Sequence, residues 1–246
     1  MRAYLGVRDT FDLPSLWMAN EALDSKVSVA TQDELVLATV RLITRGTVWL
    51  LRHRLALRSL AATIDRFAPG VTEVGAGLER WLTADEQALI QTEVARLAAQ
   101  GVPEPLARRV AQLDAQFSAL DIVEIAAECG CPIDTVAGVY FGVGGQLELG
   151  WLSSQITRLP ADSHWQGLAK VAMRDDVSAL ARTLTRSVLQ DGAASCELAP
   201  QRLSDWAAQR EFGLARYRQV LADLKPIVTL DMSMLSVVLR ELRSLA

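Results

Sequence analysis

Apolar residues recur at helical spacing along almost the whole of this 246-residue chain, and no run alternates as a half-buried strand would. That pattern constrains the fold more than any motif does. It predicts an all-α protein, an irregular multi-helix bundle of about ten helices. The opening residues 1–10 read as irregular or extended. A first helix is expected after Asp12, with Pro14 in its first turn and Leu16, Trp17, Ala19 and Leu23 inward. Residues 31–53 form a long amphipathic stretch whose Leu35, Val36, Thr39, Val40, Ile43, Val48, Leu50 and Leu51 fit one wide stripe, with Gly46 its weak point. A helix over 57–67 is expected to end at Pro69 and Gly70. Three glycines then mark 68–77 as a connection.

Further along, Thr83 and Glu86 have capping-box spacing, the hydroxyl accepting from a free amide while the carboxylate reaches back. The helix they open runs to Gln100, with Gly101 as its stop and Pro103 starting the next. Ser163 caps a long helix to about residue 190, closed by Asp191 and Gly192. Helices over 200–224 and 230–245, separated by Pro226, complete the chain. In domain terms, 1–27 is an N-terminal segment with the first helix and 28–246 is a helical domain, with a sub-boundary near 101–118.

Composition narrows the function classes. Twenty-five basic against 29 acidic residues give a net charge of −4, which offers no general attraction for nucleic acid or anionic membrane. Half of the residues are hydrophobic and the mean hydropathy is +0.18, high for a free-standing soluble domain. Apolar surface is therefore expected to be covered by another part of a longer protein or by a second subunit. The most apolar window, 35–51, is broken by Arg41 and Arg45 and is too short and too charged to span a bilayer. No signal peptide opens the sequence, so the expected compartment is the cytoplasm. Cys129, Cys131 and Cys196 lack disulfide-framework or zinc spacing, and the Cys129–Cys131 pair reads as small reduced core residues.

One segment imitates a DNA-binding motif. Over 121–141 an apolar helix with Ala126, a turn at Gly130 and a second short helix with Val136 have helix-turn-helix spacing. A helical transcription regulator is accordingly the alternative reading. Yet no Lys or Arg lies between Val110 and Thr157, while Asp114, Asp121, Glu124, Glu128, Asp134 and Glu148 are acidic. Affinity for a polyanion comes largely from basic side chains, so this surface repels DNA; it is better suited to meeting arginines, such as those between Arg41 and Arg66 or those of a partner domain.

No constellation carries chemistry. Gly142, Gly144 and Gly145 follow a helix instead of a strand and lack the dinucleotide spacing, so they read as a helix-to-helix bend. His53 sits among Arg41, Arg45, Arg52, Arg54, Arg58 and Arg66 on what reads as a solvated or interdomain face. His164 beside Trp165 has no nucleophile or carboxylate arranged around it. Asp175 and Asp176 point about a hundred degrees apart on a helix and read as ion-pair partners of Arg182 or of a facing arginine. The six tryptophans, Trp17, Trp49, Trp81, Trp151, Trp165 and Trp206, read as packing anchors, one per helix. No catalytic, cofactor-binding or metal-binding residue is assigned.

Eight ordered motifs nevertheless carry a resemblance: FDLPSLW (11–17), LDSKV (23–27), WLLR (49–52), RFAPGV (66–71), LDIVEIA (120–126), VYFGVGGQLELGWL (139–152), QITRLPADSHWQGLAKVAMRDD (155–176) and LRELRSL (239–245). In this order they resemble the C-terminal region of the large bacterial NAD-specific glutamate dehydrogenases, from about Tyr4 onward. Cys131 departs from the basic residue usual after the glycine turn in that family. The resemblance implies a non-catalytic piece of a longer enzyme with a structural, subunit-contact or regulatory role. The parent would convert L-glutamate, NAD and water to 2-oxoglutarate, ammonium and NADH. Its N-terminal portion would hold ACT-like regulatory modules, and its central portion would bind glutamate and NAD and carry the catalytic lysine. Partners would be those upstream domains, against which 1–27 would pack, and further copies in a homo-oligomer.

Overall fold

Burial, more than intrinsic propensity, decides where the helices of this chain begin and end. The computed structural model describes residues 1–24, 26–53, 59–190 and 198–246; Ser25, Arg54, Arg58, the Asp191-Gly192 stop and Cys196 lie outside them. Fourteen helices and no strand occur among the described residues, in line with the all-α bundle expected from the periodicity. The chain divides into two units, Met1–Glu124 and Ile125–Ala246. The first holds α1 (Arg2–Thr10), α2 (Leu13–Glu21), α3 (Val29–Arg52), α4 (Leu60–Trp81), α5 (Ala84–Ala99), α6 (Glu104–Ala111) and α7 (Leu113–Phe117). Helix α8 (Ala119–Cys129) contains the boundary. The second unit continues with α9 (Ile133–Gln146), α10 (Leu149–Arg158), α11 (His164–Gln190), α12 (Ala199–Gln209), α13 (Glu211–Leu224) and α14 (Met232–Arg243).

In the first unit, α1 packs on both α3 and α4. Residues 1–10, expected to be irregular, are helical for that reason. Met1 supplies no side-chain cap, but Ala3, Gly6 and Val7 are buried. The close approach uses Gly46 of α3, where an added Cβ would stand 2.8 Å from both Val7 methyls. What looked like a weak point in α3 is a docking notch. Helix α2 is tied to α3 by the Trp17 indole donating to Thr39 Oγ1 at 2.9 Å, and Arg109 of α6 donates to the Asp12 carbonyl at 2.6 Å. Ser28 caps α3 by accepting from the Thr31 amide at 3.1 Å.

Helix α4 overturns the expected break at Pro69 and Gly70. It runs uninterrupted from Leu60 to Trp81 with Pro69 inside. An internal proline costs about 3 kcal/mol and each glycine up to about 1 kcal/mol. Against this, Phe67, Val71, Val74 and Leu78 form one buried stripe at i, i+4, i+7, i+11. At about 1.5–3 kcal/mol per buried side chain, the stripe outweighs the breakers. The Thr83–Glu86 capping box is present in full, with Thr83 N donating to Glu86 Oε2 at 2.9 Å and Glu86 N to Thr83 Oγ1 at 3.2 Å. Gly101, at φ +93°, ends the following segment as expected.

In the second unit α9 lies against α10, α11 and α12. Gly142 and Gly144 are interior to α9 and make no bend. The reversal comes at Glu148, whose φ is +50°. A methyl group at Gly142 would overlap Leu203 Cδ1 of α12, so the glycine permits close helix packing. The segment expected as one helix over 200–224 is split at Arg210, where φ −112° and ψ 22° turn the chain. The turn lets Trp206 on one side and Leu214, Tyr217 and Leu221 on the other all reach the core. Tyr217 donates its hydroxyl to the Leu147 carbonyl at 2.6 Å in a buried bond.

Candidate functional site

The residues that the sequence marked as chemically suggestive end in packing and ion pairs. In the first unit the Trp49 indole, 5% exposed, donates to Asp121 Oδ1 at 2.6 Å, so the buried carboxylate has a fixed partner. His53 stacks on that indole with ring centroids 4.0 Å apart, and its Nδ1 lies 2.8 Å from the Trp49 carbonyl. Phe67 meets the same indole edge-on at 5.5 Å. Arg66 reaches Glu124 at 3.4 Å, and Arg45 pairs with Asp114 at 2.5 Å while covering the Phe117 ring at 4.2 Å. Of the basic residues between Arg41 and Arg66, Arg45 and Arg66 therefore do meet acidic residues of 110–157. Arg41 and Arg52 are exposed.

The remaining acidic residues of that stretch are also engaged. Glu128 pairs with Arg186 at 2.7 Å and Glu148 with Lys225 at 2.5 Å, both within the second unit. The helix-turn-helix spacing corresponds to α8, the Gly130 turn at φ +65° and α9. As a DNA reader it fails on burial as well as on charge. Val136, Ala137, Val139, Phe141 and Val143 of α9 are buried, and the one exposed residue of that helix is Asp134. A recognition helix must offer a solvent face to the major groove.

Other positions are equally occupied or inert. Burial and the neighbouring Cys131 push the Cys129 thiol up, away from the reactive thiolate. His164 is exposed and only approaches the edge of Trp165. Asp176 pairs with a facing arginine, Arg243 of α14, at 2.5 Å. An open recess between α4, α5 and α6 is lined by Glu79, Gln87, Ile90 and Arg108. Its charged groups pair with one another or with a neighbour, Arg108 bonding Glu79 at 3.2 Å and Glu104 at 3.0 Å. Among the described residues no group of three His, Cys, Asp or Glu is placed to hold a metal ion, and no helix is long and apolar enough to cross a membrane. The tryptophan reading needs one correction. Trp49 and Trp206 are core residues, but Trp165 is 77% exposed.

What remains is surface. On α3, Val36, Leu37, Val40, Val48 and Leu51 are 40–53% exposed, opposite a buried face of Leu35, Leu42, Ile43, Trp49 and Leu50. On α11, Trp165, Leu168 and Val171 form a shorter exposed patch. The sequence held both sets of residues but gave no means of telling a core-facing from an outward-facing valine on a helix apolar on two sides.

Comparison with known proteins places these features in context. The family model described as "Glutamate dehydrogenase, C-terminal" matches residues 1–244. Among curated proteins the chain is similar to the NAD-specific glutamate dehydrogenases of Halomonas elongata (34% identical over 245 residues), Pseudomonas aeruginosa (36% over 246) and Mycobacterium tuberculosis (32% over 243). Each match covers 99–100% of this chain, which spans only 15% of each relative's length.

Proposed function

The chain belongs to the family of glutamate dehydrogenase C-terminal regions, and we propose that it serves as the non-catalytic helical domain of a large NAD-dependent glutamate dehydrogenase. The observation that carries the reading is coverage: nearly every residue aligns with a terminal 15% of enzymes whose names state the activity. In such an enzyme L-glutamate, NAD and water give 2-oxoglutarate, ammonium and NADH. Hydride leaves an amino-acid α-carbon only once the α-ammonium has lost its proton, which needs a positioned base, and the resemblance implies a desolvated lysine at the catalytic centre. The three lysines of this chain do not fit that role: Lys26 and Lys225 are exposed, and Lys170 donates to the Leu159 carbonyl at 2.9 Å. NAD and glutamate would thus bind upstream in the parent. The segment 1–27 would pack on that catalytic region, while 28–246 would provide structural, subunit-contact or regulatory surfaces.

Deleting this region from the full-length enzyme tests the proposal. Loss of assembly, of thermal stability or of glutamate-dependent NADH formation is expected. A deletion that leaves all three unchanged overturns it.

A further inference from the structure

The exposed stripe of α3 has an internal symmetry. Leu37, Val40, Thr44, Val48 and Leu51 are all exposed and are separated by 3, 4, 4 and 3 residues, a sequence of steps that reads the same in both directions. At 1.5 Å per residue the stripe is about 21 Å long, with Thr44 at its midpoint. The Thr44 hydroxyl is spent on the Val40 carbonyl at 2.8 Å, so it adds no free donor to the stripe, and the exposed Arg41 runs along its edge. The ends differ in charge. The exposed Asp33 lies before the stripe, Glu34 beside it being already paired with Arg96, and Arg52 follows it on the exposed side.

We infer that α3 is the contact helix of a two-fold dimer, pairing antiparallel with α3 of a second copy about an axis through Thr44. In that arrangement Leu37 lies against Leu51 of the second copy, Val40 against Val48, and Thr44 against Thr44. Spacing of 3 and 4 residues is the seam of ridge-into-groove helix pairs. A two-fold contact requires one patch to be complementary to itself, and the palindromic steps supply this. Antiparallel pairing also sets the exposed Asp33 of each stripe toward the Arg52 end of the other, whereas a parallel pair would put Asp33 beside Asp33. The stripe of α11, with Trp165, Leu168 and Val171, has no such midpoint or charge reversal. One helix pair lies at or below the lower edge of standard interface sizes. The isolated chain is therefore expected to dimerise weakly, in the micromolar range, and a longer polypeptide with further contacts would reinforce the pair. The inference deepens the subunit-contact part of the proposed function. A monomeric chain would refute this face and leave the deletion experiment standing, while a silent deletion would refute that function whatever the chain's self-association.

Sedimentation equilibrium of the 246-residue chain and of V40D, with circular dichroism as the folding check, reads the proposal directly. A concentration-dependent dimer is expected, weakened at least about tenfold by the two buried aspartates that symmetry introduces. A second measurement uses substitutions on the native surface. Under oxidation T44C should cross-link to its own counterpart across the axis, and L37C, about 21 Å along the helix from its counterpart, should not, each against the unsubstituted chain as background. A chain that is monomeric at every concentration, a dimer indifferent to V40D, or cross-linking at position 37 equal to that at 44 would each overturn the proposal. So would protection of α3 from hydrogen exchange that appears only in a longer polypeptide, since that would give the stripe to a different segment.

Discussion

Helices α3 and α9 are both unusually rich in aliphatic residues, and the chain treats them in opposite ways. Three neighbours enclose α9, and even its glycines are contact points, with Gly142 admitting Leu203. Helix α3 is covered on one side by α1, α2, α6 and α7, and its second apolar face is left in solvent. A helix apolar all round belongs in a core. The contrast teaches that an apolar helix face is covered only where neighbouring segments reach it, and that the first unit leaves one such face of α3 exposed.

Substitutions can break or sharpen this contrast. The largest effect is expected in α9, where F141A, at a 6% exposed side chain, should cost about 3–5 kcal/mol in urea unfolding. Next, G142L should force Leu203 aside and cost about 1–3 kcal/mol by overpacking, as thermal unfolding would register. On the buried face of α3, W49F removes the donor to Asp121. A loss of about 1–3 kcal/mol is expected in urea unfolding, from the buried hydrogen bond that is removed. On the exposed face of the same helix, V40D should change monomer stability by no more than about 0.5 kcal/mol, measured at a concentration too low for association. Equal costs for V40D and F141A would abolish the distinction between the two helices.

The smallest effect lies at the charged flank of α3, where Arg96 of α5 joins Glu34 and Glu93. The hydrogen bond from Arg96 holds the Glu93 carboxyl below its ordinary value. A depressed folded value means that the stabilisation is present above the unfolded value and fades as pH falls through the folded one. The stability gap between the natural protein and E93Q should therefore be small at neutral pH, as for other half-exposed pairs, and close on acidification. A gap that widens in acid would show that the pair is not formed.

Much of the architecture was legible because it is written locally. Periodicity announces helices, and the Thr83 box and Gly101 stop operate within a few residues. The acidic residues of 110–157 and the lack of basic ones among them called for basic partners, and Arg45–Asp114 and Arg66–Glu124 realise that pairing. What misled was likewise local. Pro69 and its glycines signalled a break that a buried stripe overrides, and 1–10 lacked helical signals that its neighbours supply.

The sequence by itself determined the helical class and the family, because periodicity and ordered motifs need no third dimension. Only the tertiary structure decided which faces are covered. Burial is a relation between distant segments: it made helices of residues that propensity would leave uncoiled, sealed α9 away from any groove, and left the symmetric stripe of α3 facing water.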